Sequence, residues 1–242
     1  MASYRAKAIF FDAAGTLFTV NGSVSEIYAR LAQEHGKEVS VSDLEARFRR
    51  CFADAPPMAF PGASPEQILL LEKHWWRDIV HAVFAPLGPF PHFADYFDAL
   101  FAYFARTDAW QLYPETVTTL TTLADRGFQL GVISNFDSRL FGLLDGFDLT
   151  RFFDPIVIST HAGAAKPEGT IFSQALARHG FRPEDALHVG DSLHADIVGA
   201  RAVGMTPVLI DRKATNGKML DYLRINSLAE LLKGMDDSQV LD

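Results

Sequence analysis

Only one cysteine, Cys51, occurs in the 242 residues, so the chain can form no disulfide within itself. It falls in an apolar helical stripe and reads as a small buried hydrophobe. No apolar run approaches the length needed to span a bilayer. The start, Met-Ala-Ser-Tyr-Arg-Ala-Lys, lacks the apolar stretch of a secretion signal. These absences lead to the expectation of a cytoplasmic protein without membrane contact. Basic residues are in the minority: 22 Lys and Arg against 30 Asp and Glu give a formal charge of −8. No basic stripe suited to a nucleic-acid backbone is present. Arg47, Arg49 and Arg50 form the one local cluster, which reads as a solvated helix face or else as a contact for an anionic substrate. Repeats and low-complexity segments are also missing, and only the tail from Asp236 to Asp242 reads as disordered.

What is there in quantity is apolar: 48% of the residues are hydrophobic, enough for one large core or two modest ones. Ala8-Ile9-Phe10-Phe11 reads as a central strand buried on both faces. A long helical stretch follows. Val24, Ile27, Tyr28 and Leu31 fall at helical spacing. Ser42 with Glu45 reads as a capping box opening a second helix. Ala55-Pro56-Pro57 breaks it. Ser64 and Pro65 open a third, as N-cap and first helical residue. Phe93, Phe97, Leu100, Phe101 and Phe104 stripe a fourth. After Pro114 the pattern becomes strand and helix in alternation, with strands at 128–134, 156–158, 187–189 and 207–210. Such alternation predicts a parallel sheet. The fold expected is thus α/β, a Rossmann-like parallel core formed by residues 1–17 and 113–242, carrying residues 18–112 as an inserted helical bundle.

Four short segments hold chemistry, and each follows a strand, so the sheet should bring them to one edge. Asp12 ends the first strand before Ala-Ala-Gly-Thr. A carboxylate there reads as a nucleophile that takes up a phosphoryl group, or, more simply, as a cap on the turn that follows. Gly15 allows the sharp turn, and Thr16 offers a hydrogen bond to the site. Ser134, followed by Asn135, offers a hydroxyl and turn amides to phosphate oxygens. Lys166 precedes Pro167 at a helix entry; it reads either as the cation that neutralises phosphate and Asp12 or as a solvated loop lysine. Asp191, after Gly190, and Asp196 offer carboxylate oxygens of the kind Mg²⁺ accepts, although Asp196 also suits the first turn of a helix. Their order and joint spacing favour the phosphoryl-transfer reading.

These segments resemble the four motifs of the haloacid dehalogenase-like (HAD) hydrolase superfamily over nearly the whole chain. Asp12 and Thr16 match the first motif, Ser134 the second, Lys166 with Pro167 the third, and Asp191 with Asp196 the fourth. The opening motif and Ala55-Pro56-Pro57 look like the rhythmically-expressed-gene-two-like branch. The resemblance implies a Mg²⁺-dependent phosphatase acting on a small phosphorylated substrate. It assigns the metal to Asp12, the carbonyl of Ala14, Asp191 and Asp196, and makes the inserted helices a cap over the site. With the charge and the lack of a long apolar run already noted, no nucleic-acid or membrane partner is expected, and the chain is expected to be a monomer or homodimer.

One position departs from the family pattern. Family phosphatases place a second aspartate, a general acid and base, where this chain has Ala14, and losing such a group costs about 10²- to 10⁴-fold. Three alternatives follow. Phosphonoacetaldehyde hydrolase shows a similar Asp-x-Ala-Gly-Thr but uses a cap lysine, for which this chain offers Lys37 and Lys73. The metal-free 2-haloacid dehalogenases also lack that aspartate, but do not keep the Gly-Asp of the fourth motif. The third alternative is a non-catalytic phosphate-binding protein. His161 and His188, near the third and fourth motifs, are candidates for the missing acid. Trp75 and Trp76 are adjacent on a helix and point about 100° apart, so one is expected in the core and the other is a candidate to line a pocket.

Overall fold

The computed structural model describes residues 6–213 and 222–234; the tail from Asp236 lies outside them. In chain order the strands are β1 (Ala8–Phe11), β2 (Phe18–Val20), β3 (Trp110–Leu112), β4 (Gln129–Ser134), β5 (Ile156–Ile158), β6 (Ala186–Gly190), β7 (Thr206–Ile210) and β8 (Leu223–Ile225). The helices before β3 are α1 (Val24–Glu34), α2 (Val41–Asp54), α3 (Pro65–Phe84) and α4 (Phe93–Tyr103). Those after it are α5 (Thr116–Asp125), α6 (Arg139–Gly146), α7 (Ser159–Ala162), α8 (Gly169–Ala177), α9 (Gly199–Ala202) and α10 (Leu231–Gly234). A π-helical turn, Leu193–Val198, leads into α9. No helix among the described residues is long and apolar enough to cross a membrane.

Six strands form a parallel sheet in the order β5-β4-β1-β6-β7-β8. Strand β1 lies at its centre because every residue in it is apolar and its two faces can both be buried. Ile9 and Phe11 join the cluster that includes Leu120, Leu123, Leu140 and Leu144 of α5 and α6. Ala8 and Phe10 join the opposite one, with Ile171, Phe172 and Leu176 of α8. The register aligns the strand ends: Phe11 pairs with Val132 of β4 on one side and Val189 of β6 on the other. Asp12, Ser134 and Asp191 therefore emerge side by side, at the point where the strand order switches around β1.

The four helices α1–α4 bury a separate core in which Tyr28, Leu44, Val83, Phe84, Tyr96 and Phe97 take part. The chain enters and leaves this bundle through an antiparallel ribbon, β2 with β3, that pairs Phe18 with Leu112 and Val20 with Trp110. The ribbon is not expected from sequence, because Thr19 and Gln111 interrupt its two three-residue strands, which lack the continuous apolar run of Ile156–Ile158. Two helix starts divide the expectations. Ser64 caps α3 with Pro65 as its first residue, and Gln67 Oε1 accepts from the Ser64 amide at 2.8 Å. At α2 the expected capping box does not form: the cap is Ser40, and Ser42 lies inside the helix. Glu45, freed from that role, pairs with Arg49 one turn on.

Candidate active site

The nucleophile candidate stands in a buried charge network. Asp12, 8% exposed, accepts at Oδ1 from Ser134 Oγ at 2.8 Å and from Lys166 Nζ at 2.7 Å. Among the described residues, no hydrogen bond falls on its Oδ2. Lys166 also donates to Asp196 Oδ1 at 2.6 Å. Its backbone is clamped by Asn135, which accepts from the Lys166 amide at 2.7 Å and donates to its carbonyl at 2.9 Å. Asn135 thus fixes the lysine, a task that its place beside Ser134 did not reveal.

Asp196 is almost wholly used by the protein. Its Oδ1 also accepts from His188 Nε2 at 2.8 Å, and its Oδ2 from the Ser192 amide at 2.9 Å. Burial disfavours its charge, but Lys166 and His188 more than offset this and hold its carboxyl well below the ordinary range. Burial likewise works against the Lys166 cation, yet Asp12 and Asp196 raise its pKa, so it stays charged. For His188 burial wins over Asp196 and lowers the pKa, so the neutral ring donates from Nε2. Its Nδ1 finds no partner among the described residues.

Asp191 sits at the mouth. The residue is exposed as a whole, while its carboxyl is crowded. Loss of water around that carboxyl, then repulsion from Asp12 and Asp196, pushes its pKa up to about 7. Because Asp191 as a whole keeps much of its hydration, the charges of Asp12 and Asp196 matter more here than burial does. One oxygen from each of Asp12, Asp191 and Asp196 lies within 4.8 Å of the others. Hard oxygen donors at this density, with only one lysine among them, fit a divalent cation such as Mg²⁺.

The loop after Asp12 is shaped by close approach. Gly15 has φ +87°, and a Cβ there would lie 2.3 Å from Asp191 Oδ2, so any side chain would displace that carboxylate. The Gly15 and Thr16 amides are both taken up in the turn, donating to Phe18 O and Ala13 O. Thr16 is fully buried, and its hydroxyl has no partner among the described residues. Arg212, which sequence reasoning passed over, fastens this loop. It donates to the carbonyls of Gly15 and Thr16 and to Glu115, and its guanidinium lies 3.3 Å from the centre of the Tyr113 ring.

A second polar cluster joins the helical bundle to the core, and no sequence signal marked it. Glu72 of α3 is 2% exposed and accepts at Oε1 from the Ser138 amide, the Ser138 hydroxyl and Thr160 Oγ1, at 2.9, 2.8 and 2.6 Å. One turn on, Trp76 Nε1 donates to Asp137 Oδ2 at 2.6 Å, and Asp137 in turn grips Arg139. Of the remaining candidates, His161 is tied to Ser138 Oγ at 2.9 Å and His188 to Asp196. Lys37 donates to the carbonyls of Leu87, Gly88 and Pro89, and Lys73 pairs with Asp98 on the surface. Arg49 and Arg50 pair with Glu45 and Asp54 on an exposed face, as expected of a solvated cluster.

The family model of the haloacid dehalogenase-like hydrolases matches residues 6–204. A human protein, haloacid dehalogenase-like hydrolase domain-containing protein 3, is 34% identical over 238 residues, covering 95% of this chain and 94% of its own. Glyceraldehyde 3-phosphate phosphatase of Methanothermobacter thermautotrophicus is 36% identical over 117 residues, 48% of this chain and 51% of that protein. Among solved structures, a HAD phosphatase from Thermococcus onnurineus superposes with a TM-score of 0.64 at 29% identity, over 94% of this chain and 96% of that one.

Proposed function

The chain belongs to the haloacid dehalogenase-like hydrolases, and from that membership we propose that it is a phosphatase that cleaves small phosphate monoesters through an aspartyl-phosphate on Asp12. The observation that carries this reading is the pair of bonds on one oxygen. Ser134 and Lys166 both bind Asp12 Oδ1, which orients the carboxylate and leaves Oδ2 for attack. Lys166 and Ser134 then hold the phosphoryl oxygens, where the buried cation offsets charge that builds on them. His188 and Asp196 act through Lys166 by fixing its ammonium. Asp12, the carbonyl of Ala14 and Asp191 would hold Mg²⁺, with Asp196 supporting them; the cation would neutralise phosphate charge beside the nucleophile. Helices α1–α4 serve as the cap, with the ribbon β2–β3 as its stem. The displacement of both bundle lysines, Lys37 and Lys73, to other partners argues against C–P cleavage through a cap Schiff base. The Gly190-Asp191 pair argues against metal-free dehalogenation.

The test is inorganic phosphate release from a panel of phosphorylated compounds, with Mg²⁺ or EDTA, beside Asp12→Asn. We expect release that EDTA abolishes and that Asp12→Asn lowers on the order of 10³-fold or more. Release from the Asn variant at the wild-type rate would exclude Asp12 as nucleophile.

A further inference from the structure

Between the helical bundle and the sheet lies a cavity of about 400 Å³, within the size range of small-molecule sites. It reaches the reaction centre through Ala14, two residues beyond Asp12, and Asn135, the neighbour of Ser134. Away from that end its wall is aromatic. All three tryptophans of the chain, Trp75, Trp76 and Trp110, line it, with phenylalanines from α2, α4 and the loop after β4. Trp75 donates its indole N–H to Pro56 O and Trp76 to Asp137, so both rings offer apolar surface inward with their polar ends already satisfied.

Charge on the wall is similarly occupied. Arg139, the one charged residue among those described there, is held by both oxygens of Asp137. It also stacks 4.1 Å from the centre of the Phe101 ring. Among the described lining residues, no cation is left to meet a second phosphate or a carboxylate on the substrate. Nor is there a proton donor suited to a leaving oxygen. The described lining holds no carboxyl, histidine or lysine, and burial pushes the Tyr28 hydroxyl above its ordinary pKa, which makes it a poor acid.

Resting on the phosphatase reading above, we propose that the substrate is the phosphate monoester of a small aromatic alcohol, an aryl phosphate, with its ring in this cavity. The aromatic wall takes up the ring, and the missing acid at Ala14 is tolerated because a phenolic oxygen leaves as its anion. Its conjugate acid has a pKa of roughly 10, as for tyrosine, and needs no proton in the transition state. In the first step Asp12 Oδ2 bonds to phosphorus, the bond from phosphorus to the aryl oxygen breaks, and the phenolate departs with that electron pair. In the second, water attacks the aspartyl-phosphate. Both its protons stay on the released dihydrogenphosphate, and the Asp12 carboxylate is regenerated.

Two measurements decide the matter. The first compares kcat/KM for phenyl and 1-naphthyl phosphate with that for glycerol phosphate and a hexose phosphate, in wild type and in Ala14→Asp. We expect the aryl esters to lead by at least about tenfold. The variant should narrow that lead, because a restored acid helps the alkyl esters more. Alkyl esters cleaved as fast as aryl ones by the wild type would overturn the proposal and leave the phosphatase intact. The second uses tryptophan fluorescence of the Mg²⁺-loaded protein titrated with benzylphosphonate and with methylphosphonate, in wild type and in Ala55→Phe, which places a ring in the cavity. Benzylphosphonate should bind at least about tenfold more tightly, and Ala55→Phe should shrink that ratio. This reading does not need turnover. If no compound releases phosphate, the phosphatase proposal fails, while a benzyl preference still upholds the aromatic cavity as the ligand site. Equal affinity for the two phosphonates would overturn it.

Discussion

Lys166 has two carboxylates on one ammonium, and the consequences differ for the two acids. Asp12 must keep an oxygen free to react, whereas Asp196 has committed both oxygens to Lys166, His188 and the Ser192 amide. Breaking so buried an arrangement by removing one charge costs about 3–5 kcal/mol. Asp196→Asn should therefore be less stable at neutral pH by an amount of that order. The acid limb gives the sharper reading. Because the folded pKa of Asp196 lies below its unfolded value, roughly 3.9, its contribution is complete above that value and fades as the pH falls through the folded one. Urea midpoints from about pH 5 down to about pH 2 should consequently change less in Asp196→Asn than in the wild type. Equal slopes would mean that Asp196 is not held low by Lys166 and His188. Sequence had shown the acids and the lysine, since each lies directly after a strand or at a helix entry. It had not shown that Asp196 is spent on Lys166 and His188, nor that Asn135 clamps the lysine backbone, because such pairings depend on how side chains from separate elements reach one another in the fold.

Among the elements, α3 links the two bodies. Glu72 and Trp76 lie one turn apart on the same helix face and both reach the loop after β4, where the second motif ends. Glu72 satisfies three donors through one oxygen. Glu72→Leu would strip the acceptor from the buried Thr160 hydroxyl and the half-buried Ser138 amide, while Ser138 Oγ keeps His161, at about 1–3 kcal/mol for each donor that water fails to reach. We expect a fall in unfolding free energy of at least about 2 kcal/mol by urea denaturation, and faster hydrogen exchange at the Ser138 amide. Glu72→Gln, which keeps a carbonyl oxygen at that place, should lose much less. A Leu variant as stable as the wild type, with Ser138 still protected, would show that this cluster does not join bundle to core. The helices themselves were legible because their apolar stripes are long and their proline breaks clear. The cap of α2 was misread because Ser40 and Ser42 are chemically alike, and tertiary packing, not local spacing, decides which one opens the helix. Strands β2, β3 and β8 are hidden for a different reason: Thr19, Gln111 and Arg224 interrupt the apolar run that makes the equally short Ile156–Ile158 legible, and their pairing is fixed by what they adjoin.

At the scale of the molecule, the two ends of the proposed ligand site belong to different bodies. The sheet supplies Asp12, Ser134, Lys166 and Asp191, and the bundle supplies most of the aromatic wall. The switch in periodicity after Pro114 marks where the helical stretch gives way to alternating strands and helices. The cavity could not be read in this way, because residues from α1, α2, α3, α4 and the loop after β4 meet there only through folding. A site built on carboxylates at the strand ends should report its cation in stability, apart from any turnover. In metal-free protein Asp12, Asp191 and Asp196 repel one another, and Lys166 offsets this only in part. A cation bound only by the folded state raises stability by RT ln(1 + [L]/Kd), about 2.7 kcal/mol at one hundred times Kd. Titrating Mg²⁺ into EDTA-treated protein should therefore raise the melting temperature until the site saturates. Asp191→Asn, with less repulsion to relieve and one ligand weakened, should melt higher than the wild type without metal and gain less from Mg²⁺. A Mg²⁺ response equal in the two proteins would place the cation elsewhere than beside Asp191, and the phosphate chemistry would then have to rest on Lys166 and Ser134 alone.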